Sequence, residues 1–325
     1  MAPPDANPAL SSSPPEAVEV DNISPLPDVI IYHIFCFLPF KDLVKTSVLS
    51  KQWRLAWTST PNIDVSLRSW LVVPSISKAL SICTATKIEK FHVDFYVRTE
   101  FDRWFRFAAA RQVEDASCRV VPQFMCDCTS LVSLRISKAT FPPDFTIHWP
   151  SLKKLCLHDF IFDYFPSEKD VIMKIMRGCP VLESFTLRSS WLEARDIWID
   201  SRSLRELVIE ADISSSLILS APNLLSLRLS GGFVSSLIGV SSLAEAELNF
   251  NEPTRRWKKD FPKLCNFVEK QFGRSRKDFP CVANQLKRVE IVGFEFNNEK
   301  SKLLRALAKF LLEEAVELEK IDNPC

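Results

Sequence analysis

The feature that most constrains this chain is a spaced apolar motif, Leu-x-x-Leu-x-Leu, that keeps returning along it. It reads Leu131/Leu134/Ile136, Leu152/Leu155/Leu157, Leu182/Phe185/Leu187, Leu204/Leu207/Ile209, Leu224/Leu227/Leu229 and Leu243/Ala246/Leu248. Successive copies start 21, 30, 22, 20 and 19 residues apart, close to the period of a solenoid whose unit is one short strand and a return. The fourth and sixth positions alternate mostly with polar residues, as a strand with one buried face requires. A lone strand cannot cover that face; stacked neighbours can, by forming a parallel sheet over a continuous core. The expected class is therefore α/β, with a repeat solenoid over residues 67–252.

Two weaker copies precede the set. One is Ile88/Phe91/Val93; the other, Val113/Ala116/Cys118, fits only loosely, and its small residues predict a poorly packed turn of the solenoid. The 30-residue interval holds SEKDVIMKIMRGCP, in which Ser167 and Asp170 resemble a capping box and Gly178 a C-terminal cap, so a helix is expected as that return. The asparagine or cysteine that usually follows such a strand is missing; Ala139, Phe160, Ser190, Asp212 and Gly232 stand there instead. Apolar residues come soon afterwards (Phe141, Phe162, Leu192, Ile213, Phe233) and are expected to fill the convex side.

The N-terminal part follows other rules. Residues 1–20 are rich in Pro, Ala and Ser and predict a disordered tail. Three short helical patterns then run to about Asn62. The first enters after Pro25-Leu26-Pro27, sets Ile30, Ile34, Phe37 and Leu38 at helical spacing, and stops at Pro39. The second has Asp42 in its first turn and Leu43, Thr46 and Leu49 on one side. The third follows Ser50 and places Trp53 and Trp57 one turn apart. A unit of roughly 45 residues is marginal without a staple or partner, so part of its apolar surface is expected to serve another protein. The alternative for the tryptophans is plain core.

Residues 21–66 resemble the F-box of plant F-box proteins. The likeness is carried by Leu26-Pro27, Phe37-Leu38-Pro39, Lys41-Asp42, the run Thr46-Ser47-Val48-Leu49-Ser50-Lys51 and both tryptophans; Gln52 and Ala56 depart from the family pattern. The irregular repeats are similar to those found behind such F-boxes. Toward the C-terminus, after a basic stretch over 253–280 that includes TRRWKKDF, the strand pattern returns as Leu286/Val289/Ile291. A helix is expected over Glu299 to Glu314, then a short strand with Leu318 and Ile321. Residues 281–325 resemble the FBD region of the same plant proteins, which implies a cap on the solenoid.

The resemblance implies a three-helix F-box that docks a Skp-type adaptor, itself joined to a cullin and a RING subunit, as the substrate-recognition part of a ubiquitin ligase. The adaptor contacts it implies are Leu26, Pro27, Ile30, Ile34, Leu38, Leu43, Val48 and Trp53, with Pro39 and Asp42 shaping the break. Candidate target contacts are the strand-face residues Lys154, Glu183, Arg205 and Arg228, for which ordinary solvent-facing charges are an equal alternative. A non-degradative adaptor-binding protein, or a competitor of other receptors, is the second functional class. Neither the target nor any small-molecule ligand is legible.

Catalytic chemistry finds little footing. There are six glycines in all and no phosphate-binding loop, Gly-x-Ser-x-Gly elbow or His-Glu-x-x-His helix. Cys126, Cys128, His148 and His158 do not have the spacing of a structural zinc site, and buried thiols are the simpler reading. No catalytic residue, metal or cofactor is expected. Lys plus Arg (41) balance Asp plus Glu (40), so no overall field favours nucleic acid or anionic lipid. The cluster Arg255, Arg256, Lys258 and Lys259 is expected to be a solvated loop, with nuclear import or an acidic partner as alternatives. The longest apolar run, Val29 to Leu38, is far short of the ~20 residues that cross a bilayer. Ten irregularly spaced cysteines and the lack of a signal-like segment predict reduced thiols in the nucleus or cytoplasm.

Overall fold

A computed structural model describes residues 23, 25–65, 73–94, 98–138, 141, 145–159, 168–189, 196–211, 216–230, 234–237, 240–249, 285–292 and 320–322. The tail, the basic stretch over 253–280, the helix expected over 299–314, Leu318, Ser167, the residues expected in place of the asparagine, and Phe162, Leu192, Ile213 and Phe233 all lie outside the described residues.

The N-terminal unit consists of α1 (Asp28–Phe35), α2 (Phe40–Lys45) and α3 (Trp53–Ala56), with 3-10 turns at Thr46–Val48 and Trp57–Ser59. Prolines set both entrances. Pro27 and Pro39 cap α1 and α2 in extended conformation (ψ 146° and 145°), and each carbonyl accepts the first helical N–H bonds. Ile31, Phe35, Phe40, Leu43, Trp53 and Trp57 are buried. Phe35 meets Trp53 edge to face at 5.6 Å, and Phe40 meets Trp57 likewise at 6.0 Å.

This core does not end with the helices. The Thr58 carbonyl accepts bonds from the Thr84 and Ala85 N–H groups (2.7 and 3.2 Å) and from the Cys83 thiol, all just beyond α4 (Val73–Ile82). The buried apolar residues of the unit and of the repeats form one cluster. The small unit is thus stapled to the first repeat, which supplies much of the support its size demands.

The repeats build an 11-stranded sheet in the order β1-β2-β3-β4-β5-β6-β8-β10-β12-β13-β14. Its strands are β1 (Asn62–Val65), β2 (Lys90–Val93), β3 (Asp115–Cys118), β4 (Ser133–Ser137), β5 (Lys154–His158), β6 (Ser184–Ser189), β8 (Glu206–Ala211), β10 (Ser226–Ser230), β12 (Glu245–Asn249), β13 (Arg288–Val292) and β14 (Lys320–Asp322). Every described pairing is parallel. The register stacks the motif's fourth residues in one row, Ile63, Phe91, Ala116, Leu134, Leu155, Phe185, Leu207 and Leu227, all buried. The sheet starts inside the stretch that resembles the F-box, at β1, so the helices and the solenoid share chain as well as core.

One expectation is overturned. Val113, Ala116 and Cys118 do not make a loose turn: all three are buried to 1% exposure or less, in register between β2 and β4. Bulky side chains join the same core from α5 (Arg98–Ala109), whose Phe101, Trp104, Phe105 and Ala108 are buried at i, i+3, i+4 and i+7. Phe105 meets Phe91 edge to face at 5.1 Å.

The returns change along the chain. Early ones are helical, including α6 (Glu168–Gly178); later ones form a second parallel sheet, β11-β9-β7, from β7 (Asp196–Asp200), β9 (Ser216–Ser220) and β11 (Val234–Leu237). Ile197, Ile199, Leu217 and Leu219 are buried from that side, and Phe141 is buried as expected. Where an asparagine ladder is missing, Lys138 and Asp159 turn the chain after β4 and β5 with positive φ (54° and 48°). Their N–H groups donate to the His158 and Arg188 carbonyls at 2.8 and 2.7 Å, tying each turn to the next strand. No helix among the described residues is long and apolar enough to cross a membrane.

Candidate functional site

Two surfaces stand out, one at each level of organisation. The first is the outer side of the N-terminal helices. α1 is apolar on nearly every side (DVIIYHIF), and packing selects Ile31 and Phe35 for the core. Ile30 is consequently exposed, as are Val29 and Phe37, the last at 75%. Val48, at the end of the turn after α2, is 86% exposed, and Leu55 on α3 is 68% exposed. Large apolar groups concentrated at this density on one small unit are the mark of an interaction surface rather than of scattered surface chance.

Of the expected adaptor contacts, Pro27, Ile30, Pro39, Asp42 and Val48 are exposed, and Leu26, Ile34 and Leu38 are half-buried. Leu43 and Trp53 lie elsewhere: at 0% and 3% exposure they are core, Trp53 packed edge to face on Phe35 of α1. They hold the surface from beneath. The Trp53 indole N–H donates to the Ile23 carbonyl at 3.2 Å, and the Gln52 amide donates to the Leu26 carbonyl (3.0 Å) and to Asp28 Oδ1 (2.8 Å). Gln52, a departure from the family pattern, therefore pins the Leu26-Pro27 entrance. Asp42 accepts a 2.6 Å bond from Lys45 Nζ; that hydrogen bond, with the nearby lysine charges, holds its carboxyl below the usual range. Val29 and Leu55 escaped sequence reasoning. Their only signal is that an almost wholly apolar short helix must leave some side chains outside.

The second surface is the rim formed by the turns that lead into β6, β8 and β10. Backbone bonds stack equivalent residues here: Glu183 N–H to the Lys153 carbonyl (2.9 Å), Arg205 N–H to that of Glu183 (2.8 Å), and Leu225 N–H to that of Arg205 (2.8 Å). Beside them lies a depression of about 430 Å³ lined by Val181, Glu183, Arg202, Arg205, Asn223 and Leu225, among others. The four candidate target contacts accordingly divide. Glu183 and Arg205 share the depression, whereas Lys154 and Arg228 stand on the sheet's outer face. Arg228 is held by Glu247 across the β10–β12 pair, and Glu183 is paired to Lys153 at 3.3 Å. Arg202 and Leu225 were missed.

The cysteines point away from chemistry. Burial pushes the Cys118, Cys126 and Cys179 thiols up to about 12, so they stay protonated and inert. Cys126 is core, while His158 stands on the sheet's outer face beside Asp159. Among the described residues no three groups are placed to hold a metal ion.

Comparison with known proteins adds the family. The F-box domain profile matches residues 23–63, and the profile described as "FBD-associated F-box protein At5g56370, LRR repeats" matches residues 101–244. Among similar proteins of Arabidopsis thaliana, F-box protein At5g03100 is 34% identical over 72% of this chain and 78% of its own length. F-box/LRR-repeat protein 25 is 35% identical over 52% of this chain and 67% of its own length. FBD-associated F-box protein At4g13985 is 28% identical over 74% of this chain and 59% of its own length. Some relatives are considerably longer, the match spanning 61% and 53% of two others.

Proposed function

The chain belongs to the family of plant F-box/FBD/LRR-repeat proteins, and from that premise we propose that it is the substrate-recognition subunit of a Skp-cullin-F-box ubiquitin ligase. The observation that carries this reading is the exposed apolar surface of the N-terminal unit, where Ile30, Phe37, Val48 and Leu55 stand between 45% and 86% exposed. Covering each such aliphatic side chain is worth about 1.5 to 3 kcal/mol, so a few of them suffice to hold an adaptor. Leu26, Pro27, Ile30, Ile34, Leu38, Pro39, Asp42 and Val48 form the adaptor face, Val29, Phe37 and Leu55 extend it, and Leu43 and Trp53 brace it from inside.

The chain performs no bond-breaking chemistry in this reading. The adaptor, and the cullin and RING subunit behind it, hold the charged ubiquitin carrier; the repeats hold the target. Tethering then raises the effective concentration of the target's lysines at the carrier. The shared core between helices and repeats supports such a role, because it fixes the adaptor face relative to the target surface. The two strands near the C-terminus, β13 and β14, prolong the sheet and are proposed as part of an FBD-like cap. The protein is placed in the nucleus or cytoplasm, where the ligase works.

The test is reconstitution with a Skp-type adaptor, a cullin and a RING subunit. A complex containing all four, from which Leu26→Ala with Pro27→Ala is excluded, is the expected result. Adaptor bound without cullin would instead identify a non-degradative adaptor-binding protein, and no adaptor binding would refute the reading.

A further inference from the structure

The arginines of the repeat region differ in how they are paired. On or beside the sheet face, Arg119, Arg188, Arg228 and Arg288 each have a carboxylate partner: Asp94 at 3.5 Å, Glu210 at 2.8 Å, Glu247, and Glu290 at 3.2 Å. Arg135 apart, the described arginines of that face are neutralised in place. Arg202 and Arg205, on the turn entering β8, have no acidic partner among the described residues. Both are exposed and both line the same depression. The one carboxylate in that lining, Glu183, is already engaged by Lys153 from the far side.

Arg202 interrupts a run of prolines along the repeats. Each turn carries a residue two places before the motif's first leucine, and Pro150, Pro180 and Pro222 occupy that place in three of them. A proline there stiffens the turn and is flanked on the core side by Leu152, Leu182 and Leu224. In the turn between Pro180 and Pro222 the place is taken by Arg202 instead. Its turn stays in line without the proline, since the Asn223 amide donates to the Arg202 carbonyl at 2.7 Å. The long cationic side chain is therefore free of a local structural duty. Two exposed apolar groups, Val181 and Leu225, flank the pair on the neighbouring turns.

We propose that this rim is the target-docking site and that it takes an acidic peptide segment bearing an apolar residue beside its carboxylates. Arg202 and Arg205 clasp the carboxylates by paired N–H···O bonds, for which the planar guanidinium is suited; Val181 and Leu225 cover the apolar residue. The inference rests on the receptor reading but concerns its other end.

The probes are fluorescein-labelled peptide pools, degenerate except for a fixed centre of Leu-Glu-Glu, Leu-Gln-Gln or Leu-Lys-Lys, titrated against the full chain by fluorescence anisotropy. The Leu-Glu-Glu pool should bind at least about tenfold tighter than the Leu-Gln-Gln pool, the change that one well-desolvated charge pair brings. Arg202→Ala with Arg205→Ala should abolish that preference, and added salt should weaken it. Arg135→Ala, which removes an exposed arginine from the sheet face, should leave it intact. An unchanged melting temperature certifies that each variant is folded. Equal binding of the acidic and amide pools, or a preference that survives the double substitution, overturns the proposal. Adaptor pull-down on the same samples separates the two readings: adaptor bound with no acidic preference sinks this inference alone, and acidic preference without adaptor sinks the receptor reading.

Discussion

The sheet and the N-terminal helices use apolar residues in opposite ways. Along the sheet, the inward row from Ile63 to Leu227 is buried at every described strand, and the outward rows carry groups that satisfy one another across strands, such as Arg188 with Glu210 and Ser184 with Glu206. The helices bury Ile31, Phe35 and Leu43 but leave Ile30, Phe37, Val48 and Leu55 to water. A repeat array completes itself by stacking another copy of itself. A single small unit has only one neighbouring repeat to lean on, so its remaining apolar surface is left for a different protein.

That contrast predicts that substitutions split cleanly between binding and stability. The largest effect should come from Ile30→Asp with Val48→Asp, which should weaken Skp-type adaptor binding by at least about a hundredfold, the sum of two lost aliphatic contacts. The melting temperature should hardly move, and a parallel fall in both would blur the contrast. Phe185→Ala, in the middle of the inward row, should do the reverse: denaturant titration should show a loss of about 3 to 5 kcal/mol, with adaptor affinity preserved in the folded fraction.

Smaller changes sharpen the same line. A Cβ added at Gly178 would lie 2.5 Å from Ile147 Cγ2 and from the Ile147 carbonyl oxygen, so Gly178→Ala should cost about 1 to 3 kcal/mol of stability by overpacking the return side. The smallest effect belongs to the outer face. A double-mutant cycle on Arg228 and Glu247 should give a coupling of only about 0.2 to 1 kcal/mol, since the arginine is half exposed. A coupling of several kcal/mol would mean that the outer face, too, holds a desolvated functional pair.

How much of this was legible follows from the range of the signals. The repeat motif recurs with one register, so β4, β5, β6, β8, β10 and β12 could be placed from spacing alone. The second sheet was legible in principle from the alternation in DIWID and SLILS, but those strands are short and carry no recurring leucine. α5 was overlooked although Phe101, Trp104, Phe105 and Ala108 sit at helical spacing; its aromatics are buried in the same core as Ala116.

The functional surfaces were harder for a physical reason. In an eight-residue helix such as α1, Ile30 with Ile34 and Ile31 with Phe35 are equally good apolar faces, and only tertiary packing decides which one turns inward. The same applies to Leu43 and Trp53, whose residue types suit an interface and whose positions suit the core. Arg202 needed no such contact to be found. An arginine standing where three other turns have proline is visible in the aligned repeats.

The central claim, that the helices present an apolar face to be covered by an adaptor, is tested most directly by calorimetric titration of the full chain with a purified Skp-type adaptor at several temperatures. The account predicts a one-to-one complex with a clearly negative heat-capacity change, the thermodynamic mark of apolar burial, lost in the Ile30→Asp, Val48→Asp variant. An absence of binding, or a heat-capacity change near zero that the variant leaves unaltered, would contradict it.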